Sequence, residues 1–82
     1  MKINILKAMA EPSRLALLNA LSERELCACV LPAMVRKTQP TVSSHLKVLH
    51  KAGLVVMRQD GVKHLYSLSP LGKKVLDQIN GW

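Results

Sequence analysis

Phenylalanine is absent from the 82 residues, and Tyr66 and Trp82 are the only aromatics. The core must therefore be built from Leu, Val, Ile, Met and Ala, with Leu dominant, and Leu and Ala favour helix. No apolar run approaches the roughly 18 residues that span a bilayer. The opening stretch MKINILKAM lacks both a full apolar core and a small-residue cleavage site. These absences predict a cytoplasmic chain without a membrane partner. Acidic residues are scarce as well, five against twelve Lys and Arg, for a formal charge of +7. Such a surplus favours polyanionic partners. A membrane-surface protein would set its basic residues against a bulky apolar face with Trp or Phe, and the sole Trp is at the C-terminus. Nucleic acid is the better candidate.

Two cysteines separated by one residue do not make a secreted disulfide framework, so they form a local feature. Also missing are a Ser-His-Asp arrangement, paired carboxylates and a phosphate-cradling glycine loop. The Cys-X-Cys pair has no βαβ pattern around it, and the chain is not expected to be an enzyme. Its length allows one domain, residues 1–82, which is expected to bury roughly 60% of its unfolded surface.

What is present reads as an ordered series of elements. Ile3, Ile5, Leu6 and Met9 approach helical spacing, and Glu11-Pro12 ends that first helix, because the residue before a proline is pushed out of the α region. Pro12 suits the first turn of a second helix running to about Ser22, with Leu15, Leu17, Leu18 and Leu21 as its stripe. A short third helix is expected over roughly Val30 to Val35, with Pro32 in its first turn. Arg36 to Gln39 reads as a turn, and Thr38 is a candidate cap for a fourth helix that starts near Pro40. Val42, Leu46, Leu49 and Gly53 cluster on one side of this helix, and Ser44, Lys47 and Lys51 point the other way. Gly53 is placed to take the left-handed conformation that closes it. Leu54 to Gln59 and Val62 to Leu68 are β-type runs flanking Asp60-Gly61, a strong hairpin signal. Ser69 then caps a last helix, whose apolar side is Leu71, Val75, Leu76 and Ile79. The fold class is mainly α with a small β-hairpin: a single-domain winged helix-turn-helix.

A short helix, a tight turn and a second helix with a polar outer face present that second helix to the DNA major groove. Gln39, Thr41, Ser43 and Ser44 can offer side-chain hydrogen bonds to bases and phosphates, and Lys47 and Lys51 can neutralise phosphates. His45 sits at the margin of the buried stripe, where it either anchors the helix or touches phosphate. With Asp60-Gly61 as the loop, Arg58 is expected opposite Lys63 near the hairpin tip. Like charges so opposed are relieved by an anion such as the DNA backbone. His64 falls on the other face with Met57 and Tyr66, where packing or hydrogen bonding is expected.

Leu6 to Leu15, Glu25 to Cys29, and Thr41 to Leu49 continuing through Ala52-Gly53-Leu54-Val55 resemble the ArsR/SmtB family of metal-responsive repressors, over nearly the whole chain. The resemblance implies a homodimer formed through the first and last helices. It also implies binding to double-stranded operator DNA and release by an inducer. Ile3, Ile5, Leu6, Val75, Leu76, Ile79 and Trp82 would supply the apolar dimer surface. Glu25 to Cys29 looks like the thiol box of the arsenic- and antimony-sensing members, with Cys27 and Cys29 aligned to the first two of three cysteines and Pro32 at the third position. It implies no required cofactor, and As(III), Sb(III) or another thiophilic ion as inducer at Cys27 and Cys29.

The residues themselves leave three readings of that pair: two small half-buried apolar side chains, a redox-sensing pair, or a soft-ion site. Residues two apart stand about 200° apart on a regular helix, so joint action requires extended or distorted backbone. Ligation is then expected to reshape the first turn of the third helix, which packs on the recognition helix. A winged-helix DNA-binding or protein-interaction module with structural cysteines and no inducer is the alternative function.

Overall fold

The computed structural model describes residues 11–80. The first helix expected over residues 2–9, with Ile3, Ile5 and Leu6, lies outside the described residues, as does Trp82. The chain order is α1 (Pro12–Leu21), β1 (Leu26–Cys27), α2 (Leu31–Val35), α3 (Gln39–Lys51), β2 (Val55–Asp60), β3 (Lys63–Leu68) and α4 (Pro70–Asn80).

Helix α1 starts where proline allows it, with Pro12 in the first turn and Glu11 in extended conformation before it, its carboxylate accepting from the Ser13 N–H at 3.3 Å. Its leucine stripe turns inward: Leu17, Leu18 and Leu21 are buried and Leu15 is packed against them. Helix α2 is shorter than expected by one residue, with Val30 as its N-cap. Pro32 falls in its first turn, where a missing N–H costs nothing. Arg36 ends α2 in the left-handed region at φ 57°, ψ 46°, an unusual conformation for a residue with a Cβ.

Thr38 is the N-cap of α3 by backbone conformation, yet its side chain does not cap. Its hydroxyl instead donates to Thr41 Oγ1 at 3.0 Å. Val42, Leu46 and Leu49 of α3 are buried as the periodicity requires, and Gly53 closes the helix at φ 79°. The core joins these side chains to Leu31, Leu54, Val55, Leu68 and Leu76, so it is aliphatic throughout, with Tyr66 half-buried against it. Each such leucine contributes about 1.5–3 kcal/mol by leaving water.

The hairpin is present but shifted. Asp60 pairs with Lys63, Gln59 with His64 and Arg58 with Leu65, so the loop is Gly61-Val62 and not Asp60-Gly61. Arg58 therefore stands diagonal to Lys63 on one face and not opposite it. Opposite charges at Asp60 and Lys63 end the ladder, an arrangement favoured over the like-charge pair. The expected hairpin is also part of a larger unit, a three-stranded sheet in the order β1-β3-β2. Leu26 pairs with Tyr66 and Cys27 with Leu65, which makes the segment carrying the cysteines the outer strand of the wing.

Candidate nucleic-acid interface and adjoining thiol pair

Three elements converge on one open cleft of about 580 Å³: the end of β1, the stretch of α3 from Gln39 to Lys47 and the wing. Helix α3 contributes Gln39, Ser43 and Lys47, spaced four residues apart and so aligned along one face. Gln39 Nε2 donates to Ser43 Oγ at 3.4 Å, joining the first two of them. The wing contributes Lys63 and His64, and β1 with the following turn contributes Cys27 and Cys29. His64 is exposed on this cleft, contrary to the packed position expected for it, and its backbone carbonyl accepts from the Ala28 N–H at 2.9 Å. The register explains this: the face it shares with Gln59 has no core beneath it so close to the hairpin tip.

The remaining candidates separate from the cleft. Ser44 and Lys51 are exposed on the solvent side of α3, and Thr41 is half-buried. His45 is half-buried, and its Nδ1 accepts from Arg14 Nε at 3.2 Å, which ties α3 to α1. Of the two roles open to His45, helix anchoring is the one this contact provides. Arg58 is held by a two-point ion pair, Nε to Glu25 Oε2 and Nη2 to Glu25 Oε1, each 2.8 Å. The Arg58 hydrogen bonds hold the Glu25 carboxyl below the usual carboxylate range and raise the guanidinium in turn. The anion expected at Arg58 is thus supplied by the chain itself. Nothing in the spacing of Glu25 and Arg58, 33 residues apart, signals the pair.

Cys27 ends the β1 strand and Cys29 lies in the turn after it, the non-helical backbone that their spacing demands. Their sulfurs are bonded to each other, with Cα atoms 5.2 Å apart. The Cys29 N–H donates to Cys27 Sγ at 3.3 Å. Cys27 is half-buried and Cys29 exposed. Among the described residues no group of three or more His, Cys, Asp and Glu side chains is placed to hold a metal ion. The 82 residues hold two cysteines, one fewer than a three-thiolate site takes.

A short helix, a turn, an exposed-faced second helix and a β-wing define a winged helix-turn-helix, the architecture of DNA-binding transcriptional regulators. The family model described as "Bacterial regulatory protein, arsR family" matches residues 11–56, from the start of α1 into β2. The chain belongs to this family, and is a transcriptional repressor of the ArsR type and not an enzyme. The Arsenical resistance operon repressor of Staphylococcus xylosus is 46% identical over 76 residues, which are 93% of this chain and 70% of that protein. Reduced HlyU from Vibrio cholerae superposes with a TM-score of 0.85 at 31% identity, covering 96% of this chain and 84% of that one. A homodimeric winged helix-turn-helix DNA-binding domain from Mycobacterium bovis gives a TM-score of 0.87, with 95% of this chain and 73% of that one covered. At 23% identity that likeness is one of fold.

Proposed function

We propose that this repressor binds operator DNA as a homodimer and is released when a thiophilic ligand engages Cys27 and Cys29. One observation carries the reading: Gln39, Ser43 and Lys47 of α3 share a cleft with Lys63 of the wing and with both cysteines. In this reading α3 enters the major groove with Gln39, Ser43 and Ser44 toward base edges and phosphates, Thr41 near the backbone, and Lys47, Lys51 and Lys63 on phosphates. His45 acts through its contact with Arg14, and Arg58 reaches phosphate only on leaving Glu25. Ile79, exposed on α4 beside half-buried Val75, supplies dimer surface together with exposed Leu71, whereas Leu76, also expected there, is buried in the subunit's own core. A two-fold dimer sets its recognition helices ~34 Å apart, so the operator is an inverted repeat.

The ligand's route to DNA has two branches. Cys27 pairs with Leu65 of β3, and its carbonyl accepts from the N–H of Val30, the N-cap of α2, at 3.1 Å, so a change at the thiols acts on the β-sheet and on α2 together. The inducer is drawn from thiophilic species, As(III) and Sb(III) among them. No helix among the described residues is long and apolar enough to cross a membrane, in keeping with a cytoplasmic site of action.

The test is a salt titration of binding to a labelled palindromic duplex. Affinity should fall steeply with salt, and Lys47→Ala should reduce the log–log slope by about 0.9 as one phosphate contact is lost. Arsenite, antimonite or a thiol oxidant should release wild-type protein but not a Cys27→Ser, Cys29→Ser variant. An unaltered response in that variant removes the thiols from the mechanism, and a flat salt dependence removes DNA.

A further inference from the structure

Among the exposed large apolar residues described, Val62 stands furthest into solvent, at 95%. A side chain left so open adds nothing to the core, and two-residue hairpin loops that begin with glycine usually continue with a polar residue. Its place is nevertheless fixed. Gly61 takes the positive φ, 63°, that the first residue of such a loop needs, and its carbonyl accepts from Gln59 Nε2 at 3.2 Å. Asp60 and Lys63 pair directly beneath the loop. At about 3.3 Å per residue, Val62 stands roughly 13 Å along β3 from half-buried Tyr66, beyond which no side chain of the strand packs against the core.

Lys47 of α3 and Lys63 of the wing both line the cleft between those elements, and no acidic residue lines it. A sugar-phosphate strand seated there has the major groove on the α3 side and the minor groove on the wing side. The minor groove is about 6 Å wide, too narrow for two strands about 4.8 Å apart with their side chains, so only a group projecting from the turn can enter. Val62 is that group.

We infer that Val62 is a specificity-determining residue of the repressor, its methyl groups resting on the minor-groove floor beside each half-site and rejecting guanine there. The inference rests on the repressor reading above and adds a contact to it. The acceptors on the groove floor are common to A·T and G·C pairs and cancel in the comparison, whereas the G·C pair adds an amino donor. Adenine has a carbon-bound hydrogen at that place. Valine offers the amino group no acceptor, so covering it leaves a buried donor unpaired. The bulk of the amino group also holds the methyls off the floor.

The experiment uses the full chain and the duplex it selects from a pool of randomised inverted repeats. Hydroxyl-radical footprinting locates the minor-groove positions protected beside the half-sites, and those pairs are then made A·T, G·C or I·C. Inosine lacks the amino group, so I·C has the minor-groove floor of A·T with the major-groove edge of G·C. Wild-type protein should bind the A·T and I·C duplexes within about twofold of each other, and the G·C duplex about fivefold or more weakly, as for one unfavourable base pair. Val62→Ser should bring all three within about twofold. Lys63→Ala, which removes charge and keeps the methyls, should weaken all three and preserve the ratio. The inference is overturned if Val62→Ser keeps the wild-type ratio, if I·C behaves as G·C, if Lys63→Ala alone abolishes the ratio, or if no minor groove is protected beside the half-sites. Sequence-specific binding in any of these cases leaves the repressor reading standing. A pool that yields no preferred duplex removes that reading and the inference with it.

Discussion

The Ser69 hydroxyl donates to the Gly53 carbonyl at 2.6 Å, and the same oxygen accepts from the Gly72 N–H at 2.9 Å. One side chain thereby caps α4 and holds the residue that closes α3, so the recognition helix and the last helix share a hydrogen-bonded joint. Ser69 is buried, 6% exposed, and so is Gly72, whose N–H is left without a partner when the hydroxyl is removed, whereas Gly53 is exposed. Ser69→Ala should cost about 1–2 kcal/mol, the price of a lost cap with the Gly72 N–H left buried. Urea denaturation checks the figure. A cost within error of zero would show that the joint is not made in solution.

Gly72 sits in the first turn of α4 against the Leu54 backbone. A Cβ there would collide with the Leu54 carbonyl oxygen, an atom that no side-chain rotation can move aside. That same oxygen accepts from the Ser69 N–H at 3.1 Å, so backing away also breaks the start of the helix. Gly72→Ala should therefore cost about 3 kcal/mol, the upper part of the range for overpacking, despite alanine's better helix propensity. Gly61→Ala is the control, since a Cβ at Gly61 meets no atom nearby and only its positive φ is penalised. Thermal melts of the two variants should rank Gly72→Ala clearly below Gly61→Ala.

Arg36 occupies the left-handed conformation at the turn between α2 and α3. For a residue with a Cβ that conformation costs about 1–2 kcal/mol. Glycine removes the penalty and returns part of it as chain entropy, about 0.5–1 kcal/mol. Arg36→Gly should raise stability by somewhat under 1 kcal/mol in urea denaturation. Loss of stability would mean that the arginine side chain holds the turn.

The elements that local periodicity specifies were legible in advance. Val42, Leu46 and Leu49 marked the buried side of α3, Gly53 its end, and Ser69 the start of α4, because each signal lies within one or two turns of chain. The hairpin was legible in kind but not in register. Asp60-Gly61 marks a turn locally, and the loop moved by one residue because Asp60 pairs with Lys63 in the ladder. β1 was invisible, since two residues carry no period and the strand exists only through its pairing with Leu65 and Tyr66. The same non-local pairing put the cysteines on the wing, a placement that motif spacing does not encode.

Glu25 and Arg58 give the last prediction, because their ion pair withholds a cation from DNA. The Glu25 carboxyl is lowered in the folded chain, by its hydrogen bond from Arg58 before the charge attraction. Its contribution to stability is therefore present above the ordinary glutamate value and lost as pH falls through the lowered one. At neutral pH the pair is intact and Arg58 is committed to Glu25. Glu25→Gln removes the competing charge and frees Arg58 for a phosphate, so operator affinity should rise at low salt and the log–log salt slope should steepen by about 0.9. Arg58→Ala should leave the slope of wild-type protein nearly unchanged, yet cancel the gain when combined with E25Q. Fluorescence anisotropy on the labelled duplex between 50 and 200 mM salt, roughly the window in which counterion release dominates, reads all four proteins. A full unit lost from wild type on Arg58→Ala alone would show that phosphate takes Arg58 from Glu25 unaided, which would make the wing cation a contact in its own right.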